Sequence, residues 1–236
     1  MRIAAEAVLF DLDGTLVDST APIVRAWTRW ALEEGVAEEA LRAIPTHGRT
    51  SAELIADLVP PDRVAAAVDR IDALEMATAG EVRTLPGARE AVTGLPPNRW
   101  AVVTSGNRRL ALARLSAAGL TAPALVTADD VARGKPDPEP YLLGARRLGV
   151  DPRRCLVVED APSGLRAAQA AGMGTVAVTT THRAEELEAD AVIGALDAIR
   201  VVASDGHVTV VVAPSRPGPP PPPPRSAPAR CGPPPR

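Results

Sequence analysis

Four short, almost wholly apolar runs, at residues 100–103, 124–126, 156–158 and 175–178, alternate with segments whose apolar residues recur at helical spacing. No other feature of the chain narrows its fold as much. A strand that is apolar at consecutive positions has both faces covered, and strands separated by helices have room to run parallel. The pattern therefore predicts a parallel sheet with helices on both sides. The intervening helices are expected over 88–95, 108–118, 140–148 and 164–171. A fifth apolar run, 7–10, stands far from the others and ends in Asp11-Leu12-Asp13-Gly14-Thr15, where Gly14 permits a sharp turn.

Between the first run and the rest, the pattern over 21–80 is helical, with Ile23, Trp27, Trp30 and Leu32 recurring at helix spacing. Residues 45–50 and Pro60-Pro61 break it into several helices, and no strand is expected there. Near the end, 199–212 reads as a hairpin turning at Asp205-Gly206. The expected organisation is a doubly wound α/β core formed by residues 1–16 and 86–213, with an all-helical insert at 17–85. Residues 214–236 are almost entirely Pro, Arg, Ser, Ala and Gly, a composition without the apolar residues a core needs, and a disordered tail is expected.

Composition excludes several classes. A formal charge of −3 with no concentrated basic stripe argues against nucleic acid as a partner. The apolar runs fall well short of the roughly 20 residues that span a bilayer, so no membrane partner is expected. Residues 1–10 carry Glu6 and are too short for a signal peptide, which predicts a cytoplasmic protein. Of the two cysteines, Cys155 opens an apolar run and reads as a small buried hydrophobe, while Cys231 lies in the tail. Neither a disulfide framework nor zinc spacing is present. His182 and His207 read as surface residues, and Trp27 and Trp30 as core of the helical insert.

Open parallel sheets gather their chemistry at the carboxyl ends of their strands. Directly after the apolar runs stand Asp11 and Asp13, then Thr104-Ser105-Gly106-Asn107, then Glu159-Asp160. Lys135, in Gly134-Lys135-Pro136-Asp137-Pro138, follows the run ending at Val126. It is the single lysine among 26 basic residues. Each cluster alone would pass for a turn or a helix cap, but together on one rim they supply what phosphoryl transfer needs. Asp11 provides a carboxylate nucleophile, and Asp13, two residues on, an acid and base for the leaving oxygen and then for water. Lys135 offsets negative charge, while the Thr104 hydroxyl and nearby amides bind the transferring oxygens. Magnesium, which favours carboxylates, phosphate oxygens and water, is the expected cofactor, with Asp11, Asp13, Asp160 and Glu159 as its ligands. Ser105, Gly106 and Asn107 are expected at the substrate.

These four segments resemble the four signatures of the haloacid dehalogenase-like hydrolase superfamily: Asp11-Leu12-Asp13-Gly14-Thr15, Val102-Val103-Thr104-Ser105-Gly106, Gly134-Lys135-Pro136 and Val158-Glu159-Asp160. The resemblance implies a Rossmann-like core, a magnesium ion and Asp-based phosphoryl transfer, and it makes the insert similar to the family's C1-type helical cap. The stretches AVVTSGN, GKPDPEPYLLGA and VVEDAPSGLRAAQAAGM are similar to the branch holding glycerol-3-phosphate and sugar-phosphate phosphatases. Thr46-His47-Gly48-Arg49-Thr50 resembles that branch's substrate-specificity loop, which adds His47 and Arg49 as substrate contacts. The expected protein is a monomeric phosphomonoesterase acting on small polyol or sugar phosphates. A hexose-phosphate mutase similar to β-phosphoglucomutase is the nearest alternative, and Ile23, standing where those enzymes carry a cap histidine, argues against it. Phosphoglycolate remains open as a substrate. A non-catalytic phosphate-binding protein would predict an eroded catalytic position, and none is eroded.

Overall fold

The computed structural model describes residues 1–43, 50–204 and 207–212. From the N-terminus the chain forms β1 (Arg2–Ala5), β2 (Ala7–Phe10) and the two-residue β3 (Val17–Asp18). Four helices follow: α1 (Thr20–Glu34), α2 (Glu38–Ala43), α3 (Ser51–Ala56) and α4 (Val64–Thr78). The alternating part comprises β4 (Arg83–Thr84), α5 (Ala88–Thr93), β5 (Trp100–Val103), α6 (Arg108–Ala117), β6 (Leu125–Val126) and α7 (Glu139–Leu148). It continues through β7 (Cys155–Glu159), α8 (Pro162–Ala170), β8 (Gly174–Val178) and β9 (Ala191–Ile193), and closes with β10 (Ile199–Ser204) and β11 (His207–Val212).

Six strands make one sheet in the order β6-β5-β2-β7-β8-β9, every pair parallel. This is the expected α/β, Rossmann-like core. The continuous apolar runs have the predicted cause: alternate residues of each central strand enter different cores. Val8 and Phe10 face one cluster with Trp100, Val102, Leu156 and Val158. Ala7 and Leu9 face the other with Ala101, Val103 and Val157. Side chains of a strand alternate between faces, so no position on β2, β5 or β7 is left for a polar residue until the strand ends.

The helices α1, α3 and α4 share a separate core built on Trp27, Trp30, Ile55, Ile71 and Leu74. Trp30 is fully buried, and its indole donates to the Ala67 carbonyl at 2.9 Å. The helical stretch leaves and returns through β3 and β4, paired antiparallel with Val17 opposite Thr84 and Asp18 opposite Arg83.

Three features depart from the sequence reading. The terminal hairpin of β10 and β11 does not stand alone: β1 pairs with β11, giving a second, antiparallel sheet in the order β1-β11-β10. A sixth core strand, β9, extends the sheet beyond β8. The ribbon of β3 and β4 is also additional. All three involve strands too short, or too weakly apolar, to announce themselves by periodicity. The expected turn at Asp205-Gly206, the loop holding His47 and Arg49, and the 214–236 tail with Cys231 lie outside the described residues.

Candidate active site

The carboxyl ends of β2, β5 and β7 meet at the floor of a cavity of about 390 Å³. Asp11, Asp13, Thr104, Ser105, Gly106, Glu159 and Asp160 line it from the sheet side. Ile23, Trp27, Leu54 and Glu75 close it from the helical side. A volume of this size suits a small organic ligand.

Asp11 continues β2 by one hydrogen bond, its amide donating to the Val158 carbonyl at 3.0 Å. Lys135 comes from the loop before α7, and its side chain is completely buried. Its ammonium donates to Asp11 Oδ1 at 2.7 Å, to Glu159 Oε1 at 2.7 Å and to the Val103 carbonyl at 3.0 Å. All three ammonium donors are thus used. Tyr141 on α7 completes the arrangement: its hydroxyl donates to Glu159 Oε1 at 3.1 Å, and the ammonium lies 5.0 Å from its ring centroid. Burial works against the charge on Lys135, but the adjacent Asp11 and Glu159 outweigh it and hold the amine well above its usual range. The lysine is a fixed cation.

Asp11, Glu159 and Asp160 form a buried group whose nearest carboxylate oxygens lie within 4.8 Å of one another. Three carboxylates around one ammonium leave two negative charges uncompensated. Burial accordingly pushes the Asp11 carboxyl well above its ordinary range, with Lys135 opposing. Burial, then Glu159, pushes Asp160 up to about 8. An all-oxygen donor set short of positive charge fits a hard divalent cation.

The neighbours of Asp160 hold it in place. Thr15 donates to its Oδ1 at 3.2 Å, Thr181 donates to its Oδ2, and the ring of His182 contacts its backbone carbonyl at 3.1 Å. Gly14, at φ +88°, is required twice: a Cβ there would adopt a disfavoured backbone conformation and sit 2.3 Å from Asp160 Oδ2. Gly164 serves Glu159 similarly, since a Cβ on α8 would lie 1.7 Å from Oε1. Glu159 Oε2 accepts the amides of Asp160 and Ala161 at 2.8 and 2.9 Å. Its four bonds orient Glu159 as a brace for Lys135 as well as a member of the carboxylate group.

Asp13 lines the cavity but stands outside that group. Its Oδ2 accepts from Arg114 Nη1 at 2.8 Å. The Asp13 side chain, expected among the metal ligands, is held by this ion pair and is not one of the three grouped carboxylates. Thr104 is buried at the end of β5, its hydroxyl accepting the Gly106 amide at 3.1 Å.

A family model of the haloacid dehalogenase-like hydrolases matches residues 5–172. The chain belongs to this family. Hexitol phosphatase A of Escherichia coli is 41% identical over 203 residues, covering 82% of this chain and 92% of that protein. Glycerol-1-phosphate phosphohydrolase 2 of Saccharomyces cerevisiae is 33% identical over 218 residues, covering 85% and 86%. A solved hydrolase from Pseudomonas syringae superposes with a TM-score of 0.73 at 27% identity, covering 80% of this chain and 93% of the other.

In this haloacid dehalogenase-like hydrolase, Asn107, expected at the substrate, is the N-cap of α6. Its Oδ1 accepts the Leu110 amide and caps α6 at 2.9 Å, while its Nδ2 donates to Asp72 on α4 at 2.8 Å. Both ends of the amide are engaged, one of them tying the sheet's α6 to the helical segment. His182 does not simply face solvent but packs on Asp160. Four contributors to the site escaped the sequence reading. Thr181 stands three residues past the end of β8, in the polar run Thr179-Thr180-Thr181, so the search after strand ends that found the others would have reached it. Tyr141, Arg114 and Glu75 sit in mid-helix, where nothing separates them from ordinary amphipathic positions.

Proposed function

We propose that the protein is a magnesium-dependent phosphatase that hydrolyses small polyol or sugar phosphates through an aspartyl-phosphate on Asp11. The observation that carries the reading is the pairing of Asp11 with a buried, fully engaged lysine inside an acidic group that lines a ligand-sized cavity. The names of the two curated relatives support the ester class.

In this reading an oxygen of Asp11 attacks phosphorus and the bond to the ester oxygen breaks, with Asp13 giving that oxygen its proton. Asp13 then takes a proton from water, the water oxygen attacks phosphorus, and the bond to Asp11 breaks, releasing phosphate and restoring the carboxylate. Lys135 offsets charge on Asp11, and the hydroxyl of Thr104 with nearby backbone amides receives the transferring oxygens. Asp11, Asp160 and Glu159 would hold the cation, which supplies positive charge to the phosphoryl group. The helical segment, 17–85, acts as a cap that closes over the substrate, with the ribbon of β3 and β4 as its hinge. The direct test is phosphate release from a panel of small esters, with magnesium and with EDTA. Magnesium-dependent release, fastest on a glycerol, hexitol or sugar phosphate, is expected. Isomerisation of glucose 1-phosphate without release would assign the mutase reaction instead.

Titration of Asp160 gives a second expectation. With its carboxyl at about 8 against an ordinary 3.8, the folded, metal-free protein holds a proton there that the unfolded chain has lost. Between those values the unfolded state binds fewer protons, so this group makes the metal-free fold less stable as pH rises. A bound cation displaces the proton and restores the charge balance. Magnesium should therefore raise Tm more at pH 8 than at pH 6, with its apparent affinity rising by up to about tenfold per unit as one proton is released. Equal Tm shifts at both values would remove these carboxylates from the ligand set.

A further inference from the structure

Arg114 is the one arginine that α6 buries, with its side chain 4% exposed. It lies between two acids from different parts of the chain: Nη1 donates to Asp13 Oδ2 at 2.8 Å, and Nη2 stands 3.6 Å from Glu75 Oε1 on α4. Glu75 is itself buried and lines the same cavity. Such a cluster costs desolvation of three charges, and an apolar trio of similar volume would stabilise the fold at least as well. Its pairing is also incomplete. Asp13 Oδ1 and Arg114 Nε are buried without a hydrogen-bond partner among the described residues. One oxygen of Asp13 is clamped, and the other is enclosed and has no partner among the described residues, while the residue as a whole lines the cavity.

We propose that Arg114 is a positioning residue for Asp13. By clamping Oδ2, and being braced from the helical side by Glu75, it fixes the orientation in which the carboxyl group meets the leaving oxygen of the ester. The inference rests on the reading of Asp13 as acid and base. A free aspartate rotates about two torsions, and proton transfer loses efficiency quickly as donor and acceptor leave hydrogen-bond distance. Glu75 belongs to α4, so the brace is in place only while the helical segment is docked. Asp13 would then be aligned when the cavity is closed around substrate.

The dependence on leaving group tests this. An alkoxide leaves only when protonated, whereas p-nitrophenolate leaves unaided, and kcat/KM reports the steps up to departure of the alcohol. Magnesium-loaded Arg114→Met should lose about 100-fold in kcat/KM on glycerol phosphate, a typical share for one acid–base group. On p-nitrophenyl phosphate it should lose no more than a few-fold, and Arg114→Lys should recover part of the deficit. Losses equal on both esters, or no loss on either, would overturn the proposal. If the methionine variant does not fold, Arg114→Lys and Glu75→Gln read the same ratio, each with a smaller shift in the same direction. Asp13→Asn is the reference: should it depress both esters alike, the acid–base reading of Asp13 fails, whereas a split in Asp13→Asn with none in the Arg114 and Glu75 variants sinks only the positioning role.

Discussion

Replacing Asp11 with Asn should reduce phosphate release by on the order of 10³-fold or more while leaving the fold intact. An amide oxygen is a poor nucleophile towards phosphorus, so the first chemical step has no substitute. The fold is expected to survive for a reason visible in the site. Asp11 is one of three carboxylates crowded on a single ammonium, and burial already disfavours its charge. Asparagine keeps the shape, removes one of the repelling charges and leaves Lys135 bonded to Glu159 and the Val103 carbonyl. Initial rates together with a thermal melt separate the two effects. Activity near that of the parent protein would sink the assignment of Asp11.

Lys135→Ala should be damaging on both measures. Loss of a fixed positive charge at a phosphoryl group is expected to cost on the order of 10³-fold in kcat. In contrast with Asp11→Asn, the fold also suffers. Asp11, Glu159 and Asp160 would remain buried with no cation among them, and breaking a buried pair this way costs about 3–5 kcal/mol. For a chain of this size that corresponds to a fall in Tm of roughly 10 °C. Magnesium should return part of the lost stability by supplying the missing charge, without restoring turnover. A Lys135→Ala protein that melts with the parent would mean that Asp11 and Glu159 do not depend on the charge of the lysine, and the electrostatic account of the site would fail. Arginine is not a conservative replacement here, because the pocket that encloses the lysine side chain completely has no room for a guanidinium fork.

The sheet was legible because burial on both faces leaves no choice of residue: Val8-Leu9-Phe10 and Leu156-Val157-Val158 have to be apolar throughout. The rim was legible for the complementary reason, since polar residues become possible again where each strand stops. Strand β1 was not, because Arg2–Ala5 is partly exposed and its partner β11 is some two hundred residues away in sequence, Arg2 lying opposite Val211. That Asn107 caps α6 and bonds Asp72 was not legible, because a residue that caps a helix and one that binds substrate look alike in sequence. Arg114 carries no sequence signal at all. It is one basic residue among many in an arginine-rich chain, and its significance comes only from packing that brings Asp13 and Glu75 to it.

The strand order has a consequence for how the molecule comes into being. Strand β2 is made well before its two neighbours, β5 and β7, with Val8 opposite Trp100 and Ala7 opposite Cys155. Closing loops of that length is entropically unfavourable before the contacts that reward it exist, and parallel pairing on such separations folds slowly. During synthesis an apolar strand therefore leaves the ribosome with no partner to join, and it waits until β5 and β7 have followed. The aspartate that follows β2 is translated well before the strands that come to flank it.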